Sequence, residues 1–273
     1  MKAEAYSAIT IINAFATGKG GAIGLNLRTQ VDVKTKKGAS FLKGSISIRG
    51  REFNDFSLVE AVRDVVSHRF GVKFGLDFSI ASEIPVGKGL KSSSALSNAL
   101  SKAIINDLGV DVADLDIVKL GIEASKKAGV TLTGAFDDAC ASFFGGLFLT
   151  DNCKNRILKK EGIEEMPVVL LIPDRTVLTS SLNKGNFKIL APYVENAFDL
   201  AYKGEWGKAG FVNGLLYSSY LGYNTRPLFE ALKEGAFPGL CGKGPAMFAI
   251  SEKPDKIKGI WDKYGNTMIA SLR

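Results

Sequence analysis

The sequence predicts an α+β protein made of two packed subdomains, and three observations lead to this prediction. Segments with strand-like alternation and segments with helical periodicity occur in both halves of the 273-residue chain. A hydrophobic fraction of 46% and a charged fraction of 23% are typical of a globular protein with a large core. A polar and charged stretch over residues 151–165 separates the halves and is predicted to be a linker. We therefore expect subdomains over residues 1–153 and 154–273.

The first segments predict strands around a glycine-rich turn. Strands are expected over residues 9–12, 26–34 and 41–48, and the turn over residues 16–24 contains several glycines. Such a turn lets the backbone approach other groups closely, because glycine has no side chain.

A helix is predicted over residues 57–70, opened by a capping box of Ser57 and Glu60. His68 is the one histidine in the chain and falls off the apolar stripe of this helix, so we expect it at the surface. Any mechanism must then work without a histidine base. This excludes Ser-His-Asp and Cys-His hydrolase chemistry.

The remaining elements follow from the same two periodicities. The apolar residues from Val72 to Ile80 alternate with polar ones, which predicts a strand. The helix predicted next, over residues 94–108, is expected to end at Gly109. In chain order the later predictions are helices over 94–108 and 111–128, strands over 145–150 and 168–172, helices over 186–204, 205–221 and 226–234, a strand over 247–250 and a helix over 254–264.

Charge and cysteine content narrow the class of protein. The net charge of +7 suits an anionic partner without naming it, and the dispersed lysines disfavour nucleic-acid binding as the main role. No apolar run approaches the ~20 residues of a membrane span, and the first residues lack a signal-peptide core, so we expect a cytoplasmic protein. Cys140, Cys153 and Cys241 lack metal-ligand spacing and are expected to be buried free thiols, with no disulfide and no zinc.

The most informative segment lies between the strand over 72–80 and the helix over 94–108. Its glycines allow close approach of a ligand, and the following helix start favours phosphate through unpaired N–H groups and its dipole. The serines add hydroxyl donors and a candidate Mg²⁺ ligand. The alternative, a serine-capped helix after an ordinary turn, explains one serine but neither the two glycines nor the two lysines. The candidate phosphate-binding residues are Pro85, Val86, Gly87, Lys88, Gly89, Leu90, Lys91, Ser92, Ser93 and Ser94.

Three further segments carry candidate site residues, each with a purely structural alternative. Thr17-Gly18-Lys19-Gly20 lies near the N-terminus and is otherwise a hairpin turn. Asp137 and Asp138 stand side by side among small and apolar residues, where buried carboxylates are costly unless paired, and otherwise cap a helix. Cys241-Gly242-Lys243-Gly244 precedes a predicted strand and is otherwise a glycine turn.

The pattern Pro-x-x-x-Gly-Leu-x-Ser-Ser from Pro85 resembles the ATP loop of the GHMP kinases, which include galactokinase, homoserine kinase and mevalonate kinase. The other three segments match this superfamily in the same chain order, so the chain is identified as a member. Thr17 and Cys241 depart from the usual Pro and Ser of the family. The resemblance implies the GHMP kinase fold, in which a subdomain like ribosomal protein S5 packs on a C-terminal ferredoxin-like subdomain.

The resemblance also implies roles for particular residues. Asp138 falls on the catalytic aspartate position, with Asp137 as the alternate, and Lys19 is implied to reach the active site. Gly242 and Gly244 pack beside the ATP loop, and Ser93 and Glu123 bind Mg²⁺.

Within the superfamily the chain is most similar to archaeal shikimate kinases, through the Thr17–Gly20 start and the double aspartate. This implies phosphoryl transfer from ATP to the 3-hydroxyl of shikimate, and it adds Thr17 to the expected acceptor site. The carboxylate of shikimate needs a cation, and Lys184, Arg226 and Arg175 stay open as candidates. Homoserine or mevalonate kinase activity remains the nearer alternative, and an RNA-binding protein the remoter one.

Overall fold

The structure is a computed structural model that describes residues 1–131, 134–174 and 184–273, without the side chains of residues 184–186. Within these residues the strands form two sheets, and helices cover them. The strands are β1 (Lys2–Ile12), β2 (Lys19–Lys37), β3 (Leu42–Ile48), β4 (Arg51–Glu52), β5 (Phe74–Ser82), β6 (Leu147–Asp151), β7 (Arg156–Glu161), β8 (Pro167–Ile172), β9 (Phe237–Leu240), β10 (Met247–Ile250) and β11 (Asn266–Ser271).

The helices agree in type with the helical periodicity of the sequence. They are α1 (Ser57–Phe70), α2 (Ser92–Leu108), α3 (Asp114–Lys127), α4 (Phe136–Phe144), α5 (Ala191–Tyr202), α6 (Trp206–Tyr220), α7 (Arg226–Lys233) and α8 (Pro254–Trp261). A 3₁₀ helix over Lys184–Leu190 precedes α5, where a single long helix was predicted. Among the described residues, no helix is both long enough and apolar enough to cross a membrane.

The first sheet is organised by β2. This long strand pairs antiparallel with β1, β5 and β6, and the strand order is β4-β3-β5-β2-β6-β7 with β1 on β2. The predicted alternation in β5 is confirmed, because Phe74, Leu76, Phe78 and Ile80 are all buried. Helices α2 and α4 pack on β1 and β2, and α1 and α3 pack against α2. The starts of α2 and α4 therefore lie on the same side of this sheet.

The second sheet is fully antiparallel, in the order β11-β8-β10-β9. Helices α5 to α7 connect β8 to β9, and α8 connects β10 to β11. This is the β-α-β-β-α-β arrangement of a ferredoxin-like unit, as the resemblance implied.

One hydrophobic cluster joins the two sheets. It includes Ile9 and Leu25 from the first sheet together with Val169 and Phe248 from the second. At the C-terminus, the Arg273 backbone N–H donates to Gly24 O, and Arg273 O accepts from the Gly146 N–H. The second unit is thus fastened to the first through both apolar packing and backbone hydrogen bonds.

The prediction of a long glycine-rich turn near the N-terminus is wrong. The turn expected over residues 16–24 is shorter, because Gly20, Gly21 and Gly24 belong to β2. A Cβ on Gly20 would lie 2.5 Å from Asp137 Oδ2, and one on Gly24 would lie 2.9 Å from Ala141 O. The glycines therefore serve the close approach of α4 to the sheet and not a flexible turn.

The stretch over residues 151–165 is not a linker. It contains β7, an edge strand that pairs antiparallel with β6 in the first sheet. Its charged side chains are compatible with this position, because an antiparallel sheet can have one face in water. The change from the first sheet to the second falls between Glu161 and Pro167. A division at residues 153 and 154 would cut the β6–β7 hairpin, so we place the boundary of the two proposed subdomains after β7.

Two local predictions also need correction, while the surface position of His68 is confirmed. The capping box is wrong, because Ser57 lies inside α1 and its N–H donates to Asp55 Oδ1 at 2.9 Å. The three cysteines are free, but Cys153 is exposed and not buried.

Candidate active site

A cleft with a volume of about 490 Å³ opens where the two units meet. Its size is that of a small-molecule site. It is bounded by the end of β1, the loop before α2, the start of α4 and the turn after β9. The polar and charged residues that line it are Thr10, Asn13, Asp55, Lys91, Ser92, Ser93, Ser94, Ser97, Ser125, Thr131, Asp137, Asp138 and Lys243.

The loop before α2 is held in shape by contact with the turn after β9. Gly89 has a φ of +85°, and a Cβ there would collide with Cys241 O. The Ala246 N–H donates to Lys88 O at 3.3 Å. Glycine at position 89 is therefore required both by its backbone conformation and by this close approach. The loop leads directly into the start of α2, whose first three residues are serines that line the cleft.

Two polar residues, one in the last part of β1 and one directly after it, hold the turn after β9 through hydrogen bonds. The Gly242 N–H donates to Thr10 Oγ1 at 2.9 Å, and Asn13 Nδ2 donates to Gly242 O at 3.1 Å. Neither Thr10 nor Asn13 was predicted from the sequence to be a site residue. The available signal was the presence of polar side chains in and directly after an apolar strand end.

Asp138 and Lys91, which both line the cleft, form a nearly buried ion pair. Lys91 Nζ lies 2.9 Å from Asp138 Oδ2, and the two side chains are 10% and 11% exposed. Asp138 Oδ1 is buried and has no hydrogen-bond partner among the described residues. A buried carboxylate oxygen without a donor is an available acceptor for a hydroxyl proton.

Asp137 has a different environment from that of its neighbour. It is 3% exposed, and Asn152 Nδ2 donates to its Oδ1 at 2.8 Å. Burial raises the pKa of Asp137 to about 7, and the negative charge of Asp138 acts in the same direction. The positive charge of Lys91 and the hydrogen bond from Asn152 oppose this rise. Asn152 was not predicted to be a site residue, because it lies in the stretch that was expected to be a linker.

Lys243 is the second lysine of the cleft. Burial lowers its pKa to about 8, and the positive charge of Lys91 acts in the same direction. With two lysines, three aspartates and the positive ends of two helix dipoles, the cleft is suited to an anionic ligand whose charge changes during a reaction.

The structure brings many of the predicted residues together. The cleft is lined by the following residues of the predicted set: Val86, Gly87, Gly89, Leu90, Lys91, Ser92, Ser93, Ser94, Asp137, Asp138 and Gly242. Pro85, Lys88 and Gly244 belong to the same loops but do not line the cleft. Lys88 instead donates from Nζ to the carbonyls of Pro173 and Asp174.

Four other predicted residues lie outside the lining of the cleft. Lys19 Nζ is paired with Glu195 Oε2 at 2.7 Å, and Thr17 Oγ1 accepts from the Lys19 N–H at 3.1 Å. Glu123 is exposed on α3. Arg226 is 73% exposed and paired with Glu230 at 3.1 Å.

The remaining substrate candidates cannot be placed in the same way. Arg175 and the side chain of Lys184 lie outside the described residues. Among the described residues, the cations that line the cleft are therefore Lys91 and Lys243.

The chain is similar in sequence and in fold to known GHMP kinases. Residues 57–146 match the family described as the GHMP kinases N terminal domain. The mevalonate kinase of Methanococcus jannaschii superposes with a TM-score of 0.77 at 16% identity, over 100% of this chain and 98% of that one. A homoserine kinase from Cytophaga hutchinsonii gives 0.73 at 17% identity, over 100% and 94%. These likenesses confirm the GHMP kinase fold.

Full-length relatives then identify the family. The shikimate kinase of Pyrococcus furiosus is 56% identical over 98% of this chain and 97% of that protein. The shikimate kinase of Thermococcus kodakarensis is 51% identical over the whole of both chains. The chain belongs to this family of archaeal shikimate kinases, within the GHMP kinases. As a member of a kinase family it is a transferase that uses ATP and a small-molecule acceptor.

Proposed function

We propose that the protein transfers the γ-phosphoryl group of ATP to the 3-hydroxyl of shikimate, giving 3-phosphoshikimate and ADP. The observation that carries the proposal is the identity of 51–56% to shikimate kinases over nearly the full length of both chains. The similarity to the mevalonate and homoserine kinases, at 16% and 17% identity, supports the fold and not the choice of acceptor.

The phosphates of ATP are assigned to the loop before α2 and the start of that helix. Backbone N–H groups at a helix start and the hydroxyls of Ser92, Ser93 and Ser94 are donors suited to phosphate oxygens. The first turn of α2 contains no acidic side chain that would repel them. Gly87 and Gly242 line the same wall and leave the backbone accessible.

Asp138 is assigned to the acceptor hydroxyl. Its unpartnered Oδ1 is available to accept the hydroxyl proton as the new bond forms between the 3-oxygen and the γ-phosphorus. The bond from the γ-phosphorus to the bridging oxygen breaks, and ADP leaves with that electron pair. Because the transition state of phosphoryl transfer is loose, orientation by Asp138 matters more than early deprotonation.

Mg²⁺ is the proposed metal, and the donor set of the cleft fits it in part. The Ser93 hydroxyl lines the cleft beside the proposed phosphate site, and Mg²⁺ takes few protein ligands besides phosphate and water. When bound, Mg²⁺ supplies positive charge to the phosphate oxygens. Glu123 is exposed and does not line the cleft, so we do not assign it to the metal.

We propose that the enzyme works in the cytoplasm with ATP and shikimate as its partners. The exposed free thiol of Cys153 suits a reducing compartment. An RNA-binding role would give no use to the buried carboxylates of Asp137 and Asp138. Steep salt dependence of RNA binding by the purified protein would favour that alternative.

The function is tested by measuring ADP release from Mg-ATP with shikimate, homoserine and mevalonate offered separately. We expect turnover with shikimate, and a product whose mass is that of 3-phosphoshikimate. Turnover with homoserine or mevalonate, and none with shikimate, would contradict the proposed acceptor while leaving the ATP site in place.

The role of Asp138 is tested by Asp138→Asn. Loss of the Asp138 carboxylate, which accepts the hydroxyl proton, is expected to lower kcat by about 10²–10⁴-fold, while the affinity for ATP changes little. Asp116→Asn is the matched control, because Asp116 is exposed and paired with Lys119 away from the cleft. Normal turnover by the Asp138 variant would shift the assignment to Asp137 or remove the base altogether.

A further inference from the structure

The cation that faces Asp138 in this structure is Lys91 and not the lysine that the family resemblance points to. The Lys91–Asp138 pair is among the least exposed ion pairs of the described residues, with 2.9 Å between Nζ and Oδ2. Lys91 immediately precedes Ser92, so its side chain lies at the same helix end that is proposed to bind phosphates. It therefore lies between the proposed donor site and the proposed acceptor site.

The backbone at Lys91 is held in a conformation that lysine does not favour. Its φ of +61° and ψ of +30° lie in the left-handed region, which is unfavourable for a residue with a Cβ. Residues in such conformations persist where the surrounding structure determines them, and they occur often at active sites. A Cβ on Gly242 would lie 2.8 Å from Lys91 Nζ, so the absence of a side chain there makes room for the ammonium group.

Lys19 has other contacts. Its Nζ lies 2.7 Å from Glu195 Oε2 on α5 and 5.5 Å from the centre of the Phe198 ring. Its side chain is 41% exposed and does not line the cleft. These contacts connect the start of β2 to α5, which is a structural role.

We propose that Lys91 is the catalytic cation of the phosphoryl transfer. Its ammonium group contacts the transferring phosphoryl group and neutralises the charge that develops on it, while holding the Asp138 carboxylate toward the acceptor hydroxyl. The proposal rests on the proposed function, because it assumes the same reaction at the same site. Lys243, which also lines the cleft, is a second source of positive charge there.

The test uses Lys91→Gly, because glycine adopts the left-handed conformation without strain and leaves space where the ammonium group was. We expect kcat to fall by about 10²–10³-fold, with a smaller change in the KM for ATP. Small alkylammonium ions added to this variant are expected to restore part of the turnover. A purely structural role of Lys91 would show no such rescue. Lys91→Arg, which keeps the charge, is expected to retain more activity than Lys91→Gly.

Two further variants make the test specific. Lys102→Ala removes a lysine within α2 that is paired with Asp114 outside the cleft, and should leave kcat unchanged. Lys19→Ala is expected to lower kcat much less than Lys91→Gly does. Near-normal turnover by Lys91→Gly, or rescue by ammonium ions of the Lys19 variant alone, would overturn the proposal. Failure of the unchanged protein to use shikimate would instead contradict the proposed function, so the two failures are distinguishable.

Discussion

At the scale of single residues, the adjacent carboxylates Asp137 and Asp138 differ because their partners differ. Asp138 faces the ammonium group of Lys91, whereas Asp137 accepts from the neutral amide of Asn152. Thr150 Oγ1 donates to Asn152 Oδ1 at 2.6 Å and fixes the orientation of that amide. One carboxylate is thus paired with a charged group and the other with a neutral hydrogen-bond network.

The protonation of Asp137 predicts how stability depends on pH. The pKa of Asp137 is about 7 in the folded protein and ~3.9 in an unfolded chain, so only the folded state retains this proton between those values. The contribution of Asp137 to stability therefore falls as the pH rises from about 4 to about 7. Asp137→Asn mimics the protonated form. The decrease in unfolding free energy from pH 5 to pH 8, measured by urea unfolding, should therefore be smaller in this variant than in the unchanged protein.

Asp116→Asn is the control for this measurement, because it removes an exposed aspartate on α3. It should follow the pH dependence of the unchanged protein. If Asp137→Asn also followed it, the proton would not reside on Asp137.

At the scale of elements, the site is made by two helix starts that a long strand brings together. Helices α2 and α4 both pack on β2, and both begin after a residue in the left-handed conformation, Lys91 and Ala135. Glycines in β2 let α4 approach, and Gly89 lets the loop before α2 contact the turn after β9. Close backbone approach therefore sets the geometry of the cleft.

Gly89→Ala tests the contact between the two loops. The substitution adds backbone strain and a collision with Cys241 O, so we expect a loss of unfolding free energy of about 1–3 kcal/mol and weaker ATP binding. Gly71→Ala is a matched control. Gly71 also has a positive φ, of +64°, but a Cβ there would meet nothing within 4 Å. Urea unfolding and nucleotide titration give the two quantities, and equal effects of both variants would show that the contact is unimportant.

At the scale of the whole molecule, the two units share one core. Residues of β1 and β2 belong to the same hydrophobic cluster as β8 and β10, and the C-terminal backbone bonds to the first sheet. Among the described residues, the first unit has two further clusters of its own, whereas the buried apolar residues of the second sheet belong to the shared cluster. The cleft is closed by the turn after β9, so an intact site also requires both units.

This shared core predicts a single cooperative unfolding transition. Cys140 lies in α4 and Cys241 follows β9, and both thiols are buried, so each reports on one unit. We expect both thiols to become reactive toward a labelling reagent at the same urea concentration, coincident with the loss of helical circular dichroism. Mg-ATP should raise that concentration for both thiols together. Separate transitions for the two thiols would show that the units unfold independently.

Much of the fold was predictable, because most elements carry local signals. Periodicity located the principal helices and the buried strands, and Gly109 marked the end of α2. The short strands β4, β9 and β11 were missed, and β7 was taken for a linker. Such strands lack a strong pattern of their own and form because a neighbouring strand supplies hydrogen-bond partners.

The class of fold, the glycine- and serine-rich loop before α2 and the adjacent pair Asp137 and Asp138 could all be predicted from the sequence. They are indicated by residue types at short spacing, so local patterns are enough to reveal them. That Lys91 pairs with Asp138 while Lys19 pairs with Glu195 became evident in the folded chain. Each of these ion pairs joins segments far apart in the chain, and no local pattern records which partner the fold brings within reach.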